Sequence, residues 1–236
     1  MSPALSATRS TLHGKSGVRV VAIVPAAGAG RRMKLKTRKP FVLLAGKPLI
    51  SYALGALNSC DIIDEIVVAA EKPLVKRFKN LIRRFRFKKV VDVVAGGRTR
   101  SESVRNCLKE IALKESDVVV VHDGGRPFVE NKLIKRVARF AKRYGGAIAA
   151  IPETDTVKLA DKSLFAARTL DRARIYRAQT PQAFRYGLLK KAYGSRKKKV
   201  TDDSGLVEGF GGKVNPALPK RVGTNRRKSW VKIVNG

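Results

Sequence analysis

Short β-branched runs alternate along this chain with segments whose apolar residues recur at helical spacing, and that alternation limits the possible folds more than any other feature. The runs are Val18 to Val24, Ile66 to Ala70, Val90 to Val94, Val118 to Val121 and Ala147 to Ile151. The first is almost wholly apolar, as a strand covered on both faces of a parallel sheet must be. Between the runs lie single apolar stripes: Leu49, Tyr52, Ala53, Ala56 and Leu57; then Leu74, Phe78, Leu81, Ile82 and Phe85; then Val104, Cys107, Leu108 and Ile111; then Leu133, Ile134, Val137 and Phe140. Each stripe suits a crossover helix packed on the sheet, so the pattern predicts a βαβ-type α/β fold.

Two stretches depart from the pattern. From Glu153 to Gln179 the chain shortens into alternating pieces joined by Asp161-Lys162-Ser163, which reads as a projecting hairpin or arm. From Gly211 onward it is rich in Gly, Pro, Lys and Arg, with only Trp230 to Val234 strand-like. The expected organisation is a tail over residues 1–17 and one domain over 18–236, with an arm at about 153–179.

Charge raises a question of partner. The 51 Lys and Arg outweigh 18 Asp and Glu, for a formal charge of +33, and nucleic acid is the obvious candidate. The cations, however, are spread over helical stretches and loops, and no Arg/Gly/aromatic repeat offers a stacking platform for single strands. A solvated basic face, or a preference for a triphosphate and a phosphate ester, accounts for them as well, and we expect no nucleic-acid partner. Cys60 and Cys107 are isolated, which suggests neither a zinc site nor a disulfide framework. No apolar run is long enough to span a bilayer, so no membrane partner is expected. The first 17 residues contain no acid and suit either a disordered tail or a transit peptide. The expected location is the cytoplasm, with a plastid as the alternative if that tail is a targeting segment.

Four motifs carry chemistry. Ala26-Ala27-Gly28-Ala29-Gly30-Arg31-Arg32-Met33 follows the first run directly. Small residues there let backbone N–H groups approach phosphate oxygens, and the paired arginines add charge. The spacing is not GxGxxG, so a dinucleotide loop is the weaker reading. Lys39, in Arg38-Lys39-Pro40-Phe41, is in isolation one more surface lysine, but beside such a loop it becomes a point charge able to reach a phosphate. In Gly96-Gly97-Arg98-Thr99-Arg100-Ser101-Glu102-Ser103, Ser101 or Ser103 is either a helix cap or part of a base-reading loop that Gly97 opens to close approach. Finally, His122-Asp123-Gly124-Gly125-Arg126-Pro127 sets a carboxylate at the carboxyl end of a buried strand, where ligands of open α/β sheets bind and where Mg²⁺ on a nucleotide needs a hard oxygen. His122 reads as a packed residue, since no Ser or Cys partner accompanies it.

Taken in order, the motifs A-A-G-x-G-R-R-M, K-x-F-x-x-L-x-G-x-P, G-G-x-x-R-x-x-S-V, H-D-x-x-R-P, D-T-V-K, T-x-D-R, T-P-Q-x-F and T-D-D make the chain resemble the 2-C-methyl-D-erythritol 4-phosphate cytidylyltransferases over about Val20 to Gly212. The resemblance implies a Rossmann-like, mixed and mostly parallel sheet flanked by helices, and a homodimer clasped through the arm. It implies a nucleotidyltransferase that joins CTP to methylerythritol phosphate in isoprenoid precursor synthesis. It further implies that Ala26, Ala27, Gly28, Gly30, Gly97 and Ser103 surround the nucleotide, that Arg32 and Lys39 hold the triphosphate, and that Asp123 carries Mg²⁺ or another divalent cation. Arg126, Thr156, Arg172 and Thr201 are implied to contact the polyol phosphate, Thr156 and Arg172 from across the dimer.

The chain departs from the family in two places. Pro40 stands where Gln is usual, and in place of the family's N-I-K-I/V-T strand the nearest counterpart is Val231-Lys232-Ile233-Val234, which makes Lys232 the candidate for its lysine. A cytidylyltransferase for another polyol phosphate, such as ribitol 5-phosphate, is the nearest alternative, because one fold is easily retuned. An inactive, basic, nucleic-acid-binding relative is the alternative from a different class.

Overall fold

The computed structural model describes residues 17–28, 37–195 and 200–217. Strand β1 (Val20–Pro25) comes first among the described elements, and the small hairpin β2 (Leu43–Leu44) and β3 (Lys47–Pro48) precedes helix α1 (Leu49–Ser59). Next come β4 (Glu65–Ala70), α2 (Val75–Phe85), β5 (Val90–Ala95), α3 (Arg100–Lys109), β6 (Val118–Val121) and α4 (Asn131–Tyr144). The remainder is β7 (Gly146–Pro152), β8 (Lys158–Ala160), β9 (Ala166–Thr169), β10 (Tyr176–Arg185), α5 (Tyr186–Gly194) and α6 (Asp203–Gly209).

Six strands form one sheet in the order β5-β4-β1-β6-β10-β7. β1 lies parallel between β4 and β6, with Ala22 opposite Ile66 on one side and Val120 on the other. β10 runs antiparallel to both β6 and β7. The result is the mixed, mostly parallel sheet expected.

Side-chain alternation explains why the strands read as continuous apolar runs. Ala22, Val24, Val118 and Val120 join a core that includes Ile50 and Leu54 of α1, Phe78 of α2 and Ile134 of α4. Val21, Ile23, Val119 and Val121 point the other way, into a core with Val104 and Cys107 of α3, Leu189 of α5 and Val207 of α6. Both faces are covered, so neither face of these strands tolerates a polar residue. Fully burying one such Val or Leu stabilises the fold by about 1.5–3 kcal/mol. Cys60 and Cys107 are buried thiols in this packing, and burial pushes Cys107 up to about 12.

β10 is the one sheet strand missing from the periodicity. Its register against β7 shifts between Ala178 and Gln182, the stretch that holds Pro181, and a bulge is how a sheet accommodates a residue with no N–H to donate. Tyr176 already pairs with Pro152 in the main sheet, so the projecting part is narrower than residues 153–179 suggest: it is the β8–β9 hairpin, followed by a 3₁₀ turn at Arg172–Arg174. Every residue of β8 and β9 is exposed. At the far edge the chain returns beside β7, where Ile148 N donates to Asn215 O (2.9 Å) and Asn215 N to Gly146 O (2.9 Å).

Candidate active site

The chain leaves β1 towards β4 on one side and reaches β6 on the other, so the sheet's topological switch point lies at the carboxyl ends of β1 and β6. Open α/β sheets bind ligands there. Residues 26–28 leave the end of β1, and residues 122–126 leave the end of β6.

Close backbone approach holds these loops together. A Cβ on Gly124 would lie 2.4 Å from Ile50 Cδ1 and 3.3 Å from Ala26 Cβ, so glycine lets this loop settle over β1 without displacing Ile50. A Cβ on Gly96 would lie 2.3 Å from Ala27 Cβ and 2.9 Å from Ser103 Oγ, which places the third loop directly against the first. Gly28 is exposed, and among the described residues no atom lies within 4 Å of where its Cβ would be. Lys39 comes in from a 3₁₀ turn at Lys39–Phe41, whose buried Phe41 anchors it against Phe78. Its ammonium lies along the β6 loop, 2.9 Å from where a Cβ on Gly125 would be.

Helix α3 is capped by neither of the serines that the motif offered. Thr99 is the N-cap, its hydroxyl accepting from Glu102 N (3.1 Å), while Glu102 Oε2 accepts from Arg98 N (2.7 Å). Ser103 is thereby free for the loop: its buried hydroxyl donates to Thr99 O (2.9 Å) and accepts from Gly97 N (3.1 Å). This fixes Gly97 at the rim of the cleft.

The β6 loop is held from below by His122, which is fully buried. Its Nε2 faces the carbonyl of Arg126 at 3.0 Å, and a carbonyl only accepts, so Nε2 carries the proton. Nδ1 then accepts from the Thr180 hydroxyl (3.2 Å), and Thr180 Oγ1 accepts from Asp123 N (3.2 Å). Burial drives the imidazole pKa down to about 4, so the ring is neutral and this directional chain persists near neutral pH. His122 is thus structural, as its motif suggested, and what it supports is the Asp123–Arg126 turn.

Asp123 looks into the cleft between two arginines. Arg100 Nε donates to its Oδ1 at 2.9 Å, and Arg126 Nε approaches Oδ2 at 3.5 Å. Arg100 also donates through Nη1 to Asp203 Oδ2 at 2.6 Å, and the fully buried Asp203 accepts from the Tyr193 hydroxyl through its other oxygen. Burial alone would lower the pKa of the Arg100 guanidinium, but the Asp203 and Asp123 carboxylates raise it overall. Thr201 is exposed just before α6, which Asp202 caps by accepting from Gly205 N (3.0 Å).

Ala26, Ala27, Gly28, Lys39, Gly97, Ser103, Asp123 and Arg126 therefore converge on one cleft. Thr156 and Arg172 do not join them in this chain: both are exposed on the arm, where Arg172 Nη1 donates to Thr154 O at 2.9 Å. Gly30, Arg32 and Lys232 lie outside the described residues.

Residues 20–217 match the family described as IspD, 2-C-methyl-D-erythritol 4-phosphate cytidylyltransferase. The chain belongs to this cytidylyltransferase family. Among its relatives, the enzyme of that name from Syntrophus aciditrophicus is 44% identical over 200 residues, covering 82% of this chain and 84% of the relative. The one from Clostridium acetobutylicum is 39% identical over 197 residues, covering 82% and 85%. Of solved structures, a 4-diphosphocytidyl-2C-methyl-D-erythritol synthase from Anaerococcus prevotii superposes with a TM-score of 0.73 at 30% identity, over 84% of this chain and 87% of that one. The cytidylyltransferase of Francisella tularensis gives 0.68 at 32% identity, over 84% and 89%.

Against that family membership, Arg100, Tyr193 and Asp203 are the cleft residues without a role from sequence reasoning. Arg100 and Asp203 both fall inside quoted motifs, but the bond between them spans 103 residues and no local spacing reveals it.

Proposed function

We propose that this chain transfers the cytidylyl group of CTP to 2-C-methyl-D-erythritol 4-phosphate, giving CDP-methylerythritol and pyrophosphate. The observation that carries the reading is the convergence of Lys39, Asp123, Ser103 and the Ala26–Gly28 loop at the switch point of a sheet that belongs to this family.

A phosphate oxygen of the polyol substrate attacks the α-phosphorus of CTP, a new P–O bond forms, and the bond from that phosphorus to the α,β-bridging oxygen breaks as pyrophosphate leaves. No protein nucleophile is required. The loop after β1 and the Gly97 turn receive the nucleotide, and Lys39 together with Arg32 holds the triphosphate and meets the charge that builds on the transferring group. Arg126 and Thr201 receive the polyol phosphate, and Thr156 and Arg172 do so from a partner's arm.

Asp123 fits a divalent cation carried on the nucleotide. Its side chain is 32% exposed, and among the described residues its Oδ2 has only the 3.5 Å approach of Arg126. Among the described residues no group of three His, Cys, Asp or Glu side chains is gathered, so the cation would be held by this carboxylate and the substrate phosphates, as Mg²⁺ commonly is. When bound, Mg²⁺ neutralises charge on the phosphates and polarises the attacked phosphorus.

The same reading makes the chain a homodimer. Leu159, Leu164 and Phe165 are 48%, 86% and 73% exposed on the arm, an apolar surface that a second copy would cover. Among the described residues no helix is long and apolar enough to cross a membrane, and a cytoplasmic site of action suits two water-borne phosphate substrates. Small phosphate esters, not polynucleotides, are the partners that this reading assigns to the basic charge.

A pyrophosphate-release assay with CTP, Mg²⁺ and each polyol phosphate in turn tests the proposal. Release with methylerythritol phosphate supports it. Release with ribitol 5-phosphate alone moves the substrate, and silence with every polyol phosphate ends the reading.

A further inference from the structure

Arg100 is the most constrained side chain in the cleft that no substrate-binding role accounts for. It starts α3, immediately after the loop that carries Gly97, and spans two carboxylates from different parts of the chain: Asp123 at 2.9 Å and Asp203 at 2.6 Å. Asp203 is completely buried and also bound by Tyr193 of α5, so this end of the bridge is fixed in the core. Asp123 is the exposed end, facing the cleft. Arg100 Nη2, by contrast, is buried with no hydrogen-bond partner among the described residues. A half-buried guanidinium with one buried nitrogen unmatched among the described residues is not optimised for stability alone, since leaving such a donor unmatched is unfavourable.

The geometry explains what the arrangement gains. A guanidinium is a rigid fork, and here two of its edges are committed to two acids from distant parts of the chain. Through it the cleft carboxylate is tied to α6, the short helix that follows Thr201. Asp202 caps that helix while its second oxygen accepts from Gln182 Nε2 (2.7 Å), which anchors the same turn to β10 beside Thr180. A shift of Asp123 is therefore felt at the segment preceding α6, and a shift there is felt at Asp123. Lysine would keep the charge but could not hold both carboxylates in this geometry.

We infer that Arg100 is a positioning residue that aims the Asp123 carboxylate and couples it, through Asp203 and Tyr193, to the polyol-phosphate side of the cleft at Thr201. This rests on the proposed reaction for its substrates, but the mechanical link it describes does not depend on turnover.

The test uses the full-length protein and the variants Arg100→Lys, Asp123→Asn, Tyr193→Phe and the Arg100→Lys/Asp123→Asn double variant, each checked for a native circular dichroism spectrum. In steady-state assays Arg100→Lys is expected to lower kcat at least about tenfold, to raise the Mg²⁺ concentration for half-maximal rate, and to raise KM for the polyol phosphate more than KM for CTP. If Arg100 acts through Asp123, the double variant is no slower than Asp123→Asn alone, because coupled groups are non-additive. Multiplicative losses, or an Arg100→Lys enzyme with wild-type constants, overturn the inference.

Hydrogen exchange supplies the readout that needs no activity. Asp123→Asn and Tyr193→Phe are each expected to speed amide exchange in residues 203–209, although Asp123 is not part of that helix. Unchanged exchange there in Asp123→Asn overturns the link even in a protein that turns over no polyol phosphate. An inactive wild type with the predicted exchange response would instead count against the substrate assignment and leave the coupling supported.

Discussion

Lys39 and His122 show how one cleft uses side chains for opposite purposes. On the proposed reaction Lys39 brings its charge to the triphosphate, and Lys39→Ala is expected to cut kcat by at least about a hundredfold, the scale of a lost transition-state donor, with melting temperature little changed. Near-normal turnover in the purified variant would remove Lys39 from the mechanism. His122 acts by staying neutral. Its folded pKa of about 4 lies below the ordinary value of 6.5, so the stability it contributes is fully present above pH 6.5. That stability is lost as pH falls towards 4, because the unfolded chain takes up a proton that the folded one refuses, at about 1.4 kcal/mol per pH unit for one group. Thermal melts from pH 7 to pH 4.5 should show a declining Tm, and a flatter decline in His122→Asn. An identical slope in the variant would assign the decline to other groups. At this scale the sequence was informative about placement where a residue's neighbours in the chain fix it, as with Ser103 beside Gly97 and Asp123 at a strand end. It was silent on Arg100, Tyr193 and Asp203, whose meaning comes from pairing across the fold.

Among the elements, the parallel strands and their crossover helices were legible because burial on both faces forces unbroken β-branched runs. β10 was not. It carries Pro181, buries the polar Thr180 and Gln182 in service of the cleft, and so lacks the periodicity that marks a strand. Its charge-free interior is nonetheless central to the sheet, between β6 and β7. The stretch from Glu153 reads as a departure from pattern, and the start of β10 within it was not legible, because Tyr176 to Gln179 enter the sheet with no change of composition. The apolar tip predicts its own test. If the proposed dimer forms through this tip, replacing Leu164 and Phe165 together with Asp should convert it to a monomer by analytical ultracentrifugation, leave the circular dichroism spectrum unchanged, and abolish most turnover by withdrawing the proposed Thr156 and Arg172 contacts from the neighbouring cleft. A dimer that survives this change would locate the subunit contact elsewhere.

For the whole molecule, the dominant quantity is the formal charge of +33. Such a field draws in anionic substrates from beyond contact distance and is screened within about 10 Å at 0.1 M salt. Raising KCl from about 20 to 200 mM, across that screening range, should therefore lower kcat/KM for CTP several-fold while kcat changes little. A salt-independent kcat/KM would mean that the charge serves something other than capture. Composition stated the charge plainly but not its purpose, since the same count suits a solvated surface, a polyanion site or a small phosphate ligand. The strand order carries a consequence for synthesis. In the six-stranded sheet β7 has β10 as its only neighbour, and β10 is made later. A nascent chain that has reached β7 but not yet β10 consequently leaves the ribosome with the β6 edge open and β7 unpaired on both sides, since the Asn215 segment beside β7 is also made later, and in that interval chaperone protection against aggregation matters.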